Sequence, residues 1–540
     1  MRSVPVLIVG GGPVGLALAG ELGWRGIGCE LVEQSDGAIA TPKMNEVNVR
    51  TMEFCRRWGI ADEVQHCPFP GDYPLDVVFV TSLAGYELAR MRRPPRGVQS
   101  AGEQSPMSQQ ICSQLWFDPI LRRFAQSHPT VRLRHRARLE AFEPCEAGVT
   151  AELHDLETGQ RETIKADYLV GCDGATSTIR GKLDIALQGQ GILGYPLHLY
   201  FRAPDLLAHC GRDAGVFFLA IDRDGLWANI RIIDPANGLW RLMVLDSDGK
   251  QTPDSVDRAR LLQRAIGRSI DVEWQGLSIW TRRSVVADRY GRGRVFLAGD
   301  AVHQLSPTGA LGMNTGIGDA VDLGWKLEAA LTGWGGTNLL ASYDGERRPI
   351  GERNVRMATE FYLAHGEFGD ELSAIEDDSA AGEHVRQQLG QSLIRKIGRM
   401  FRTTGLQLGY RYESSPICVS DGTPPPQDDT EDYVPSARPG SRAPHAWLRD
   451  GRSTLDLFGR GFVLMRFADT TTTRIEHAAM ARGMPLQTVA IEQPEIMKLY
   501  ERRLVLVRPD GHIAWRGDSL PTDCAALIDH VRGMGTADVR

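Results

Sequence analysis

Three short stretches of this 540-residue chain hold residue types that could do chemistry together. The first is GGGPVG, where Gly10, Gly12 and Gly15 stand in G-x-G-x-x-G spacing around Pro13 and Val14. Glycines so spaced let the backbone turn tightly against a pyrophosphate, and a helix beginning there favours negative charge. Glu33, further on, can accept hydrogen bonds from a ribose diol and would repel a 2′-phosphate, so the adenosine half belongs to FAD or NAD rather than NADP. The second stretch is YLVGCDGATSTIR, residues 168–180, which carries Asp173, Gly174 and Arg180. The third is FLAGDAVHQLSPTGALGMNTG, residues 296–316. There the carboxylate of Asp300 ends a buried-looking strand, and Pro307, Gly309, Gly312 and Gly316 follow in a loop nearly bare of side chains. An ordinary strand–turn–helix connection has this composition. So does a surface on which a large flat ligand lies against backbone while Asp300 holds one of its hydroxyls. A ligand loop so far from the first glycines favours FAD, whose ribityl chain and three-ring head need contacts that NAD does not.

These residues need elements to position them. Residues 4–9 read as a short buried strand. Residues 13–24 read as a helix with Val14, Leu18 and Leu22 at helical spacing, and residues 29–32 as a second strand ending at Glu33. After the third stretch, Ile317, Ala320, Val321, Leu327 and Leu331 mark an amphipathic helix. Its N-terminus would point at the ligand, where its dipole favours the negative charge of a reduced flavin.

Composition narrows the class. The formal net charge of −7 and the lack of a basic run argue against a nucleic-acid partner. The apolar N-terminus mimics a signal peptide, but three glycines and a proline would break its helix, and no apolar run is long enough to span a bilayer. Nine cysteines, an odd number without C-x-x-C spacing, fit free thiols in a reducing cytoplasm, with no metal site expected.

In this order, the three motifs resemble those of the class A, single-component FAD-dependent aromatic hydroxylases with the para-hydroxybenzoate hydroxylase fold. The resemblance implies an α/β architecture: an FAD-binding, Rossmann-type (glutathione-reductase-like) domain with an inserted β-sheet substrate domain. It implies that Asp300 bonds the ribityl chain, that Pro307, Gly309 and the backbone of Gly312, Met313 and Asn314 line the isoalloxazine, and that Asp173 and Gly174 lie near the pyrophosphate. NVRTMEFCRRWGI and SQLWFDPIL resemble segments that place Arg50 and Gln114 on the cofactor. Lys43 stands where many relatives carry Arg, Asp322 where Asn is usual, and Leu139 is counted on the cofactor side. Asp173 also reads as an ordinary turn residue and Arg180 as a solvated helix residue. His303 reads as a base beside the flavin or, preferably, as an imidazole tied to local backbone.

The implied reaction uses NADH or NADPH to reduce FAD. O2 then forms a flavin C4a-hydroperoxide that hydroxylates a phenolic or other small aromatic substrate. The alternative is an FAD-dependent oxygenase or reductase of a polyketide-like or other non-phenolic substrate. No membrane partner is expected, and a second copy of the chain is left open as a partner.

Boundaries follow from the motifs. The FAD domain is expected in residues 1–71, 90–185 and 291–350. HLYFRA, GVFFLAI, GLWANIRII and LWRLMVLD read as strands, which gives a substrate sheet in 72–89 and 186–290. Tyr200, Trp227, Arg231 and Trp240 are its candidate lining residues, each also readable as core or surface. Residues 351–413 look helical, and the Pro- and Asp-rich 414–444 is a linker or extended wrap. Residues 445–540, with LVRPDGHIAWRGD, resemble the thioredoxin-like C-terminal domain of the phenol hydroxylase branch. Its single cysteine makes disulfide exchange improbable. Because every cofactor motif precedes Pro416, a chain ending near there is expected to keep FAD if it folds, although it can expose apolar surface and aggregate.

Overall fold

A computed structural model describes residues 2–99, 102–247, 249–366, 372 and 374–535. Positions 367–371 and 373, inside the expected helical stretch, and the last five residues lie outside the described residues.

The first sheet is built on Arg2–Val9, whose neighbours Cys29–Glu33 and Arg161–Gly171 run parallel to it, with Val295–Leu297 parallel beyond. These strands are almost wholly apolar at their ends because helices cover them: Pro13–Trp24 packs against both Gly312–Leu331 and Gln114–Gln126. Register matters most here. Val9 pairs with Gly171, and Gly171 with Leu297. The carboxyl ends of three strands are therefore level, and each is followed at once by one of the three motifs. Open α/β sheets bind ligands at such strand ends.

A second, seven-stranded sheet runs Glu273–Ile279, Leu197–Arg202, Leu239–Val244, Gly225–Asp234, Phe217–Asp222, Val77–Val80, Glu87–Met91. Val77–Val80 and Glu87–Met91 thus belong to the same sheet as the strands between 197 and 279. Helix Ser342–Leu363 runs unbroken across position 350, where the sequence suggested a boundary.

The C-terminal sheet runs Leu486–Ala490, Phe462–Arg466, Leu504–Val507, Ile513–Gly517, parallel at the first pair and antiparallel after. With its helices Thr473–Met480, Pro494–Tyr500 and Cys524–Val531, it is thioredoxin-like. The 414–444 segment wraps onto it: Val419 N–H donates to Ala514 O at 2.7 Å and Gly440 N–H to Ile513 O at 2.8 Å. The hairpin between the last two strands carries Arg508, Asp510 and His512 into the rest of the molecule, where all three are buried. Arg508 pairs there with Glu346 at 2.9 Å, Asp322 at 3.1 Å and Asp510 at 2.7 Å, and Lys326 with Asp322 at 2.7 Å. Among the described residues, no helix is long and apolar enough to cross a membrane.

Candidate active site

The three motif turns meet through backbone. Gly10 N–H donates to Val32 O at 2.9 Å, Cys172 N–H to Val9 O at 2.7 Å, and Ala298 N–H to Gly171 O at 3.0 Å. A Cβ on Gly10 would lie 2.3 Å from Cys172 O, and one on Gly15 would lie 2.0 Å from Gly10 O, so only glycine lets these turns stack. Gly12 and Gly174 differ: a Cβ on either meets no protein atom within 4 Å, and at Gly312 only Leu305 at an ordinary 3.6 Å. Those three glycines border a cavity of about 430 Å³, a size suited to a small-molecule ligand.

The cavity runs from the dinucleotide turn to the second sheet. Gly12, Pro13, Val14 and Gly174 line one end, and Pro307, Gly309 and the Gly312-Met313-Asn314 turn line the middle. Helices Pro13–Trp24 and Gly312–Leu331 both begin here without a side-chain cap, leaving N–H groups for a ligand. Lys43, Gln114 and Asp300 also face it. The Asp300 carboxylate opens into the cavity while protein surrounds its other sides. That desolvation raises its pKa, against the charges of His303 and Lys43. Gln114 Oε1 accepts from Lys43 N–H at 2.8 Å, fixing the loop that carries Lys43. Asn314 works behind the surface: its Oδ1 accepts from Asn48 N–H and Thr51 Oγ1, and its Nδ2 donates to Ala310 O at 2.8 Å.

Glu33 and Asp173 flank the cavity. Glu33 Oε2 accepts from Gly11 N–H at 2.7 Å. Burial would raise its pKa, but bonds from the Gly11 and Ser35 N–H groups hold it below the ordinary value. Asp173 Oδ2 caps the Thr178–Lys182 helix through Thr178 N–H at 2.8 Å, while its buried Oδ1 has no protein partner. Arg180 is a staple, donating to Ala301 O at 2.8 Å and Ala175 O at 3.1 Å. A bare backbone cradle at Gly12, Gly174 and Gly312, an orphaned Asp173 oxygen and an acid aimed inward fit a dinucleotide with a polyol chain and a flat head, as FAD is.

Several expected residues stand elsewhere. Arg50 does not line the cavity. It donates to Glu53 at 2.8 Å and Asp510 O at 2.9 Å, because its helix faces the C-terminal hairpin. Leu139 sits on the Ala137–Cys145 strand, outside the lining. Tyr200 and Trp240 are buried, with Tyr200 Oη donating to Pro42 O at 2.8 Å and Trp240 Nε1 to Ala203 O at 3.0 Å. Trp227 lies 4.0 Å from the Arg264 guanidinium. None of the three lines the cavity, although Tyr200 shares the sheet face of its cross-strand partner Arg241. His303 is fully buried and bonds the Asp319 carboxylate at 2.8 Å rather than local backbone; it does not line the cavity.

Of the four substrate candidates only Arg231 lines the cavity. Its direct cross-strand partner is Arg241, which sequence reasoning missed. Like charges directly opposite one another in a sheet repel. Burial pushes the Arg241 pKa down to about 10. Arg231 bonds Glu46 at 3.0 Å, and Arg282, fully buried, lies 4.0 Å from the Tyr362 ring. The Nε atoms of all three arginines, Nη2 of Arg282 and both ring nitrogens of His365 are buried without partners. Burial and the Arg282 charge push the His365 pKa down to about 3, so its ring is neutral. The lining holds five cationic side chains against two carboxylates. The legible signal was an arginine at alternate positions of two apolar strands; which arginines face each other needed the register.

Comparison with known proteins agrees with this geometry. The family described as FAD binding domain matches residues 3–358, and the one described as aromatic-ring hydroxylase, C-terminal, matches residues 436–534. The chain is 33% identical to 4-methyl-5-nitrocatechol 5-monooxygenase of Burkholderia sp, over 98% of this chain and 97% of that protein. The structure of RebC soaked with chromopyrrolic acid superposes with a TM-score of 0.92 at 41% identity, covering 99% of this chain and 100% of that one. The flavin-dependent monooxygenase PieE, in complex with FAD and substrate, superposes with a TM-score of 0.86 at 30% identity and 98% coverage of both chains. With the strand-end cradle and the basic cavity in place, the chain belongs to the FAD-dependent aromatic-ring hydroxylases.

Proposed function

We propose that this monooxygenase takes a flat, extended aromatic substrate that carries a carboxylate, and that Arg241 and Arg231 read that group. The observation that carries the reading is the pair of arginines set directly across two strands, with unpartnered guanidinium N–H groups, over a cavity that the FAD cradle closes on its other side. Arg231 already pairs with Glu46, whereas no carboxylate among the described residues pairs with Arg241, and guanidinium matches a carboxylate in planar geometry. Phe217, Leu219, Met243, Trp280 and Phe401 supply apolar and aromatic walls for a ring system. RebC, similar over its whole length, was soaked with an acid of this kind.

When bound and reduced by NAD(P)H, FAD supplies the activation of O2 for transfer of one oxygen to an aromatic ring. This chain's own residues do the rest. The Gly312-Met313-Asn314 turn would hold the ring head, and the arginines would fix the substrate's acidic end. The apolar walls keep bulk water from the reacting faces. Asp300 would hold the ribityl side of the cofactor.

The test uses the FAD-loaded protein and pairs of polycyclic aromatic acids and their methyl esters. Binding is read by the flavin absorbance change, and turnover by stimulated NAD(P)H oxidation. The acid is expected to bind at least about tenfold more tightly than its ester, since a charge-assisted bond adds about 1.5–3 kcal/mol. Arg241→Met should erase that preference. Esters that bind as well as acids, with the preference unmoved in Arg241→Met, would refute the carboxylate reading.

A further inference from the structure

We propose that His365 donates a hydrogen bond to an ionised ring hydroxyl of the substrate, and that the buried charge of Arg282 keeps that oxygen deprotonated. The inference rests on the reading that a flat aromatic acid fills the cavity, and it adds the group at the reacting end of that substrate. Both residues line the cavity. His365 is 8% exposed, and neither of its ring nitrogens has a partner. An imidazole buried in this way lacks both hydrogen bonds that it can make. Arg282 is fully buried; its Nη1 donates to Leu245 O at 3.1 Å, while its Nε and Nη2 have no partner. Among the described residues, no carboxylate pairs with Arg282. Printed side by side, the contacts run from one residue to the other: the Arg282 guanidinium lies 4.0 Å from the Tyr362 ring, and Tyr362 meets the His365 ring edge to face at 6.0 Å.

Position assigns this pair to the reacting end. The helix end that carries Tyr362 and His365 packs over the loop expected to hold the flavin head: a Cβ on Gly309 would lie 3.2 Å from Phe361. The carboxylate reader stands further along the sheet. Leu245, which anchors Arg282, is four residues beyond Arg241, roughly 13 Å at ~3.3 Å per extended residue. One flat ligand can therefore reach Arg241 with its carboxylate and His365 with a hydroxyl.

Charge decides what the hydroxyl does there. A guanidinium keeps its charge when buried, and a buried charge without a partner is costly. A negative oxygen in the cavity offsets that cost, and a nearby cation favours the ionised form of an acid. Burial and the Arg282 charge hold the His365 ring neutral, with a pKa pushed down to about 3. His365 can therefore donate its N–H at neutral pH but cannot take up the proton. The hydroxyl O–H bond breaks, the oxygen keeps the electron pair, and the proton passes to bulk water as the ligand binds. The ionised oxygen enriches the ring carbons ortho and para to it, which oxygen transfer to an aromatic ring requires. The other charged and titratable groups that bear on the pair are Tyr362 on the same helix, Asp246 after strand Leu239–Val244, His198 on Leu197–Arg202, and Arg231 on Gly225–Asp234, the strand packed against residues 364–366. Asp246 is the carboxylate among them, and its Oδ1 already accepts from the Tyr195 and Ser247 N–H groups.

The experiment uses the FAD-loaded full chain, oxidised and without NAD(P)H, with 6-hydroxy-2-naphthoic acid or 2-naphthol bound. Difference absorbance against pH follows ionisation of the bound hydroxyl. Its ionisation constant should rise at least about tenfold over that of the free ligand. His365→Gln, which keeps a neutral donor, should retain most of that rise, whereas His365→Leu and Arg282→Met should abolish it. Affinity for 2-naphthoic acid, which has no hydroxyl, should stay the same in the His365 variants, an outcome that a merely structural role would not give. Should Arg282→Met not fold, the two His365 variants decide. 2-Naphthol has no carboxylate, so its ionisation tests this proposal even where acids bind no better than their esters; that result would refute the carboxylate reading alone. A bound hydroxyl that titrates as it does in free solution, a rise that persists in His365→Leu, or failure of both hydroxylated ligands to bind would overturn the proposal.

Discussion

Arg508 offers the sharpest test of how the C-terminal hairpin supports the cofactor half of the molecule. Its guanidinium is fully buried among Glu346, Asp322 and Asp510. Glu346 is on the long helix Ser342–Leu363 and Asp322 is on Gly312–Leu331, the helix whose first turn borders the cavity. Arg508→Met leaves three buried carboxylates facing Lys326. Removing one partner of a buried ion pair costs about 3–5 kcal/mol. Ending the chain at Pro416 does more: Glu346 and Asp322 lose Arg508, and Glu53 loses Arg442. Lys326 and Arg50 remain as partial partners, so each loss sits near the low end, and three together reach about 9 kcal/mol. That rivals the ~5–15 kcal/mol by which a folded protein is stable at all. Trp325 and Trp334 would also lose Phe462, which packs edge-on against both. The condition on which this truncation was expected to keep FAD, that it folds, is therefore the part at risk. The truncated chain should be insoluble or unable to hold FAD, and full-length Arg508→Met should release FAD at a clearly lower temperature, followed by the rise in flavin fluorescence. Combining Glu346→Gln with Arg508→Met should cost less than the two single changes added together, because the charge left unpaired is removed. A soluble chain ending at Pro416 that binds FAD as tightly as the full chain, with Arg508→Met unchanged, would refute the reasoning.

Gly12→Ala should fold normally yet bind FAD poorly, because its Cβ meets no protein atom, whereas Gly15→Ala should fail to fold, because its Cβ lies 2.0 Å from Gly10 O; circular dichroism with flavin absorbance separates the two. Asp300→Ala should weaken FAD by about ten- to hundredfold, the loss of a charged hydrogen bond worth about 1.5–3 kcal/mol, and added FAD should restore activity. Burial raises the Asp118 carboxyl to about 7, although Gln114 bonds it at 3.0 Å. A raised folded-state pKa means stability is full below the unfolded value near 3.8 and falls as pH rises towards 7. Asp118→Asn should therefore gain on the unaltered protein across that window by about 1.4 kcal/mol per pH unit and no further above pH 7, as read by denaturant unfolding. A gap that stays constant from pH 4 to pH 8 would remove Asp118 as its cause.

The sequence by itself determined the cofactor half. Gly10, Gly12, Gly15, Asp173, Asp300 and Gly312 were legible because backbone chemistry depends on residue type: a turn that must approach a ligand needs glycine, wherever the rest of the chain lies. The substrate strands were legible too, through apolar alternation. Alternation gives two faces and does not say which residues reach the ligand, so Tyr200, Trp227 and Trp240 were candidates that do not line the cavity. Only antiparallel register sets Arg241 opposite Arg231. Only the packing of the second sheet against the helix end at His365 brings Arg282 to the same cavity. Arg50 was drawn to the cofactor by its motif, but its helix faces a hairpin from residues 508–512, a contact no local pattern can announce. Local spacing fixes what a backbone can do, whereas the meeting of charges from distant segments depends on the summed packing of the whole chain.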